Sequence, residues 1–260
     1  MILMIKVALV GMGRMGREIA NELRASYANK VQITACIDQA QGSYEGMSIL
    51  SADKLESALK GVDVAIDFTT PAAEPALAER IAKCGVDLVI GTTGMGDGDL
   101  AKIRETVKKN AVSAVIAPNF SILVNVHFAL ARKAAAALKG LNYDFAVFEE
   151  HHTGKVDSPS GTARKLAEVV IGEGAAKRIN FRGEGKKKHE QGEIDMAVTR
   201  TGGMPGYHEL RVGGAHGLLN ISSLMYSRKE FATGAIESAL WLSQNRKPGK
   251  TFGMDDVLKL

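Results

Sequence analysis

The chain has 260 residues, 45% of them hydrophobic and 24% charged, with a formal net charge of +4. That length suits one large domain or two smaller ones, and that composition excludes a disordered or fibrous chain. No apolar run approaches the roughly 20 residues of a membrane-spanning helix, and Cys36 and Cys84, in unrelated segments, are expected as buried free thiols of a reducing cytoplasm.

The N-terminal "MILMIKVALVGMG" is apolar but short, and Lys6 interrupts it. It runs into a glycine motif without a small-residue cleavage site, which predicts a buried strand rather than a signal peptide. Within it "IKVALVG" ends at Gly11, and "GMGRMG" places glycines at 11, 13 and 16. "REIANELRAS" follows with Ile19, Ala20 and Leu23 at helical spacing, and "VQITACID" is a second strand ending at Asp38. A strand before the glycines, a helix after them and an acid about 20 residues on make the context of a dinucleotide fingerprint. Gly11 is predicted to allow the tight turn, Gly13 the close approach of a pyrophosphate, and Gly16 close helix–strand packing. The helix N-terminus then offers free N–H groups to the phosphates.

The alternation continues. "DVAIDF" ends in "TTP" (69–71), "VDLVIG" in "TTG" (92–94) and "AVSAVIA" in "PNFS" (118–121), with helices through Leu77 and Ile81 and through Leu100, Ile103 and Val107. The carboxyl ends of an open parallel sheet line one crevice, so these loops form one wall of a cofactor cleft. Asp38 can accept hydrogen bonds from ribose hydroxyls and repels a 2′-phosphate, while Gln39 offers no guanidinium to pair with one. This favours NADH over NADPH. The competing role for Asp38 is to cap a loop.

After Phe120 the pattern changes. "NVHFALARKAAAALKG" reads as a helix, "DFAVFEE" as an alternating strand, and "SGTARKLAEVVIG" as a helix opened by Ser160. "EIDMAVTRT", "YHELRVGG" and "LLNISSLMY" read as an antiparallel meander turning at "GGMPG" (202–206) and "GGAHG" (213–217). "FATGAIESALWLSQN" is a last helix, with Ile236, Leu240 and Trp241 on one face, that returns to the first domain. The expected fold class is α/β: a Rossmann-like parallel-sheet domain from residues 1–121 and 231–260, and a second α+β domain with a mixed or antiparallel sheet from residues 122–230. The run "KKKH" (186–189) has no interleaved aromatics on which bases could stack, so a solvated loop is expected and no nucleic-acid or membrane partner. A mildly positive field suits a small dianionic substrate instead.

"EEHHTGKVDSPSGTA" (149–163) joins the "DFAVFEE" strand to the following helix. Pro159 stiffens the turn and Ser160 is the natural N-cap, which leaves the N–H groups of Gly161 and Thr162 unsatisfied within the helix. They make an anion cradle at the positive end of the helix dipole, and the Thr162 hydroxyl adds a donor. Lys155 supplies a full positive charge, and His151 and His152 can each supply a proton near neutral pH. Spacing alone does not tell the two histidines apart. Glu149, Glu150, His151 and His152 are a poor metal set, because neighbours on a strand point to opposite faces and there is no i,i+4 histidine pair on a helix and no nearby cysteine; no metal is expected. Ser160 lacks the setting of a nucleophile elbow. A purely structural loop competes, but the density of donors favours a carboxylate-bearing substrate.

At this point the sequence resembles the 4-hydroxy-tetrahydrodipicolinate reductase (dihydrodipicolinate reductase) family of the diaminopimelate route to lysine. "GMGRMG", "DFTTP", "GTTG", "PNFS", "EEHHTGKVDSPSGTA" and "GAIESALWL" occur in the family's order along essentially the whole chain. The resemblance implies that His151 is the proton donor and Lys155 a second donor. It implies that His152, Lys155, Ser160, Gly161 and Thr162 hold the substrate, a cyclic imine dicarboxylate. It further implies that Gly11, Met12, Gly13, Arg14, Met15, Gly16, Asp38, Gly91, Thr92, Thr93, Ala117, Pro118, Asn119 and Phe120 hold NADH or NADPH, and that the protein is a cytoplasmic homotetramer built through the second domain's sheet. Hydride would pass from the nicotinamide to an electron-poor carbon, His151 would protonate the carbon beside it, and the domains would close to exclude water.

Three departures stand out. The family's "NFSxGVN" reads "NFSILVN", with Leu123 for glycine beside the hinge; the glycine loop is one residue shorter than "GxxGRMG"; and Gln39 stands where many members carry arginine. Two other functions compete: a related NAD(P)-dependent amino-acid dehydrogenase, which the "HHTGKVDSPSGT" block opposes, and a non-catalytic nucleotide-sensing or nucleic-acid-binding Rossmann protein relying on Lys186–Lys188.

Overall fold

The computed structural model describes residues 4–182 and 184–260, so residues 1–3 of the expected N-terminal strand lie outside the described residues. The chain divides into two compact units, Met1–Ile122 with Arg228–Leu260, and Leu123–Ser227. The first unit opens with β1 (Ile5–Val10), α1 (Arg14–Ser26), β2 (Val31–Asp38), β3 (Gly42–Tyr44), β4 (Met47–Ser51) and a short α2 (Leu55–Ala58). It continues with β5 (Val64–Asp67), α3 (Glu74–Lys83), β6 (Asp87–Ile90), α4 (Asp97–Lys109) and β7 (Ala114–Ile116).

Between these and the returning segment run α5 (Ile122–Leu138), β8 (Asp144–His151), α6 (Gly161–Gly172), β9 (Arg178–Asn180), β10 (Glu193–Arg200), β11 (Tyr207–Gly214) and β12 (Gly217–Leu224). The chain then closes the first unit with α7 (Lys229–Asn245), β13 (Thr251–Phe252) and α8 (Met254–Leu258).

The first unit holds an eight-stranded sheet, ordered β13-β7-β6-β5-β1-β2-β4-β3, in which only the β3–β4 pair is antiparallel. Its central strands are covered on both faces, so β5 and β6 are buried throughout and read as short apolar runs, as parallel strands do. Alternation along β1 feeds two cores. Val7 and Leu9 pack with Ile19 and Leu23 of α1 and Ile236 and Leu240 of α7. Ala8 and Val10 pack with Ile81 of α3 and Ile103 and Val107 of α4. Helices on both faces of a parallel sheet are the doubly wound Rossmann arrangement. Trp241 and Phe252 close the α7 side edge-on, with ring centroids 5.0 Å apart.

The second unit holds a mixed five-stranded sheet, ordered β12-β11-β8-β10-β9. The expected meander is therefore corrected: β10 and β11 are not neighbours, because β8 lies between them, parallel to β10 and antiparallel to β11. The physical reason is that α6 carries the chain from β8 to the edge strand β9, and the connection after β9 returns it to start β10 between the two, parallel to both. Only β11 and β12 form the expected hairpin, closing at Gly214 and Gly217. The "KKKH" run folds back on acids: Lys187 reaches Glu193 at 2.7 Å and His189 reaches Asp144 at 3.0 Å. Of the two free thiols Cys36 is buried, but Cys84 is exposed; it caps the C-terminus of α3, beyond the stripe of Ala78, Ile81 and Ala82 that the helix buries. Among the described residues no helix is long and apolar enough to cross a membrane.

At Gly234 of α7 a Cβ would lie 1.7 Å from the Phe120 carbonyl oxygen, so the helix meets that backbone through a glycine. Gly234→Ala is expected to force α7 off that backbone and to cost about 1–3 kcal/mol. Urea unfolding checks this as a lower midpoint at unchanged slope.

Candidate active site

In the first unit the three motif glycines have separate physical jobs. Gly11 has φ +87°, and a Cβ there would sit 2.4 Å from the Phe68 carbonyl oxygen. A Cβ at Gly16 would sit 1.9 Å from the carbonyl oxygen of Gly11, so the turn and the helix touch through these two residues. Gly13 faces open space, with nothing within 4 Å of its Cβ position. It caps α1 without a side-chain hydrogen bond, and the first turn of α1 carries no acid. The N–H groups and positive dipole end there are free for an anion.

Asp38, at the end of β2, ties this loop down. Its Oδ2 accepts from the Met12 amide at 2.7 Å and its Oδ1 from the Gln39 amide at 2.6 Å. The capping role is thus present, and each oxygen keeps a lone pair for a further donor.

Beside the loop lies a cleft of about 360 Å³, lined by Arg14, Met15, Phe68, Thr69, Gly91, Thr92, Thr93, Pro118, Asn119, Phe120 and Phe231. Eight of the predicted nucleotide residues therefore share one cleft wall. Met12 and Ala117 are buried, so their side chains pack in the core and only their backbone is on offer. Phe68 and Thr69 come from the "DFTTP" strand end. Phe231 comes from α7, far along the chain, and no local pattern marks it. A Cβ at Gly91 would overlap the Phe68 ring at 2.2 Å, which explains glycine there.

Under the cleft, two of its loops are stapled by a buried acid. Glu74 Oε2 accepts from the Thr92 hydroxyl at 2.5 Å and from the Thr69 hydroxyl at 3.2 Å, and the Thr69 amide donates to Thr92 Oγ1 at 3.0 Å. Asp67 and Glu74 are both fully buried. Burial, and then the neighbouring Glu74 charge, push the Asp67 carboxyl well above its ordinary range; burial raises Glu74 as well.

In the second unit β8 alternates, with Phe145, Val147, Glu149 and His151 inward. Glu149 and His151 thus share the buried face, with Glu150 on the other. Glu149 is fully buried. Its two oxygens accept the Ser160 amide at 3.0 and 3.1 Å, and its Oε1 accepts both Arg200 guanidinium nitrogens at 3.2 Å. Its Oε2 lies 3.6 Å from His151 Nδ1 and 3.6 Å from His208 Nε2. Burial pushes its pKa up, but His208, Ser160 and His151 outweigh that and hold it at about 2.

Ser160 caps α6 as expected, its Oγ accepting from the Ala163 amide at 3.2 Å, and the same Oγ lies 3.0 Å from His208 Nε2. Gly161 opens onto free space, and Thr162 is half-buried beside it. Lys155 sits in the turn, its Nζ donating to Asp157 Oδ1 at 2.8 Å. His151 is buried with its ring edge-on to His208 at 5.0 Å. Burial, then the His208, Lys155 and Arg200 charges, lower its pKa to about 4, against the opposing pull of Glu149. His152 is half-buried beyond the strand end.

His208 and Arg200 escape the sequence pattern, because only the position of β8 between β10 and β11 brings them to Glu149. Glu149, His151 and His208 offer ligand atoms within 4.8 Å of one another, but the carboxylate already faces a guanidinium, which opposes a second cation there. Leu123, at the start of α5, is 52% exposed, so its side chain displaces nothing from the core.

Residues 5–120 match the family model described as "Dihydrodipicolinate reductase, N-terminus", and residues 124–258 match "Dihydrodipicolinate reductase, C-terminus". The chain is 37% identical to the 4-hydroxy-tetrahydrodipicolinate reductase of Methanosarcina mazei, over 99% of this chain and 100% of the relative. It is 36% identical to that of Caulobacter vibrioides, over 98% and 97%. Among solved structures, a dipicolinate-bound dihydrodipicolinate reductase from Paenisporosarcina sp. TG-14 shares the fold with a TM-score of 0.79, at 24% identity over 98% of this chain and 99% of that one.

The acid pair under the cleft generates a pH prediction. A carboxyl whose pKa is raised on folding stabilises the native state below its unfolded value, about 4, and loses that contribution as pH rises through the raised value. Asp67→Asn lacks this loss. The difference in Tm, variant minus parent, is expected to become more positive as pH rises above about 4, in thermal melts across a buffer series.

Proposed function

The chain belongs to the dihydrodipicolinate reductase family, and we propose that it reduces 4-hydroxy-tetrahydrodipicolinate to tetrahydrodipicolinate with hydride from NAD(P)H, in the diaminopimelate route to lysine. The observation that carries this function is the convergence of His151 and the N-terminus of α6 on one buried carboxylate, Glu149, with Lys155 in the turn between them, in a chain whose other unit is a dinucleotide-binding sheet.

The nucleotide belongs to the first unit. The open face of Gly13 and the N-terminus of α1 take the pyrophosphate. Asp38 uses its remaining lone pairs on the ribose hydroxyls, and the cleft walls from Thr92 to Thr93 and Pro118 to Phe120 hold the nicotinamide end. Asp38 and Gln39 together favour NADH, since neither neutralises a 2′-phosphate.

The dicarboxylate belongs to the second unit. The Gly161 and Thr162 amides, the Thr162 hydroxyl, His152 and Lys155 bind its carboxylates, with Lys155 exchanging Asp157 for a substrate oxygen. Substrate and product differ by the 4-hydroxyl, so water leaves the ring and two hydrogens enter. One arrives as hydride at an electron-poor carbon, and His151 gives the other as a proton to the carbon beside it. An approaching dianion favours the imidazolium form of His151. Exposed Leu218 and Leu219 on the edge strand β12 support a homotetramer joined through this sheet.

Freshly prepared 4-hydroxy-tetrahydrodipicolinate is expected to make the protein oxidise NADH, followed by absorbance, and His151→Gln to lower kcat by about 10²–10⁴ while NADH affinity stays unchanged. No turnover by the parent protein would overturn the function; equal loss of kcat and of NADH binding would remove His151 as the acid. Asp38→Asn is expected to raise kcat/KM for NADPH relative to NADH by about tenfold or more, since one repelled charge corresponds to at least one pKa unit, or tenfold. An unchanged ratio would show that Asp38 does not set preference.

A further inference from the structure

Each charged group that faces His151 from a neighbouring element works against the charge it must carry as an acid, except one. His208 faces it from β11, Arg200 from β10 and Lys155 from the turn after β8, and all three, with burial, oppose an imidazolium. His127 of α5 bears on His208 rather than on His151, and its Nδ1 is taken by Ser223 Oγ at 3.0 Å. Glu149 alone favours the imidazolium.

The geometry gives Glu149 a direction as well as a sign. His151 Nδ1 is sealed from solvent without a hydrogen-bond partner, and Glu149 Oε2 lies 3.6 Å from it. The Nε2 side is bordered by Gly206, where a Cβ would come within 3.2 Å of that nitrogen. Glycine at 206 keeps the Nε2 side clear. The carboxylate itself is fixed from behind by the Ser160 amide and the Arg200 guanidinium, so it neither rotates freely nor takes up a proton easily.

We propose that Glu149 is a positioning residue for proton transfer: it holds the Nδ1–H of His151 from the buried side, which orients the ring, supports its positive charge and leaves Nε2 to deliver the proton. This rests on His151 being the proton donor. His208, braced against Ser160 Oγ and edge-on to His151, fills the other side of the carboxylate and keeps the ring from turning away.

The test is a pH profile of kcat and KM for the full-length parent, Glu149→Gln, Glu149→Asp and His151→Gln, with NADH affinity measured in parallel. In the parent, kcat falls as pH rises through the loss of the imidazolium. Glu149→Gln is expected to move that fall about 1–3 pH units towards acid, so that kcat at alkaline pH drops roughly 10–10³-fold and recovers as pH is lowered. NADH affinity is expected to stay unchanged. Glu149→Asp, which keeps the charge but retracts it, is expected to move the fall the same way by less.

A uniform loss of kcat at every pH, or an unmoved fall, overturns the proposal. Should Glu149→Gln not fold, Glu149→Asp decides by the same criterion. His151→Gln separates the two levels. If it abolishes turnover while the Glu149 variants leave the profile in place, only the role of Glu149 fails. If it leaves turnover intact, the assignment of His151 fails and takes this proposal with it.

Discussion

Glu149 has no access to solvent, and a carboxylate taken out of water costs several kcal/mol unless its lone pairs are used and its charge is matched. That constraint organises the second unit. The Ser160 amide supplies the start of α6, Arg200 the end of β10, His151 the end of β8 and His208 the start of β11. Four elements are thereby held to one point. The same contacts set the direction in which α6 presents the Gly161 and Thr162 amides, because the helix start is bonded to the strand end through Ser160. The cradle for an anion is thus a consequence of how one buried anion is satisfied.

The first unit solves a related problem with backbone instead of charge. Gly11 and Gly16 touch where any side chain would overlap the next carbonyl, and this leaves the N-terminus of α1 facing outward. Polar anchors then fix the loops around it. Asp38 holds the Met12 amide, and Glu74 holds the hydroxyls of Thr92 and Thr69. Both anchors are carboxylates, yet they differ in surroundings. Asp38 accepts two backbone amides at the end of β2, whereas burial raises the pKa of both carboxyls of the Asp67–Glu74 pair.

Much of this was legible in the chain because it depends on local rules. The glycine triplet, the strand–loop–helix alternation and the Ser160 cap each need particular residues at fixed spacing, so sequence reveals them. The inward alternation of β8 even separates Glu149 and His151 from Glu150. What local rules miss is pairing across distance. Nothing in "EIDMAVTRT" or "YHELRVGG" says that β8 inserts between them, so Arg200 and His208 are invisible as partners of Glu149. Phe231 reaches the cleft only because α7 returns to the first sheet. Cys84 looks like a core thiol from composition, but two residues past the buried stripe of α3 it meets solvent.

On the proposed role of His151, the electrostatics of the second unit explain how an acid can be built from a histidine whose pKa is lowered at rest. With His208, Arg200 and Lys155 around it, His151 holds a proton only to about pH 4, so the resting enzyme does not carry a stray imidazolium in a buried place. Arg200 and Lys155, which help to depress it, also attract a dicarboxylate. When such a dianion arrives, it offsets their field and adds to the favourable bias from Glu149, both acting against the cost of burial. Substrate binding and acid strength are then coupled through charge alone, without any movement of the ring. A site with the histidine in an acidic surround would be protonated already, but it would repel the substrate it has to protonate.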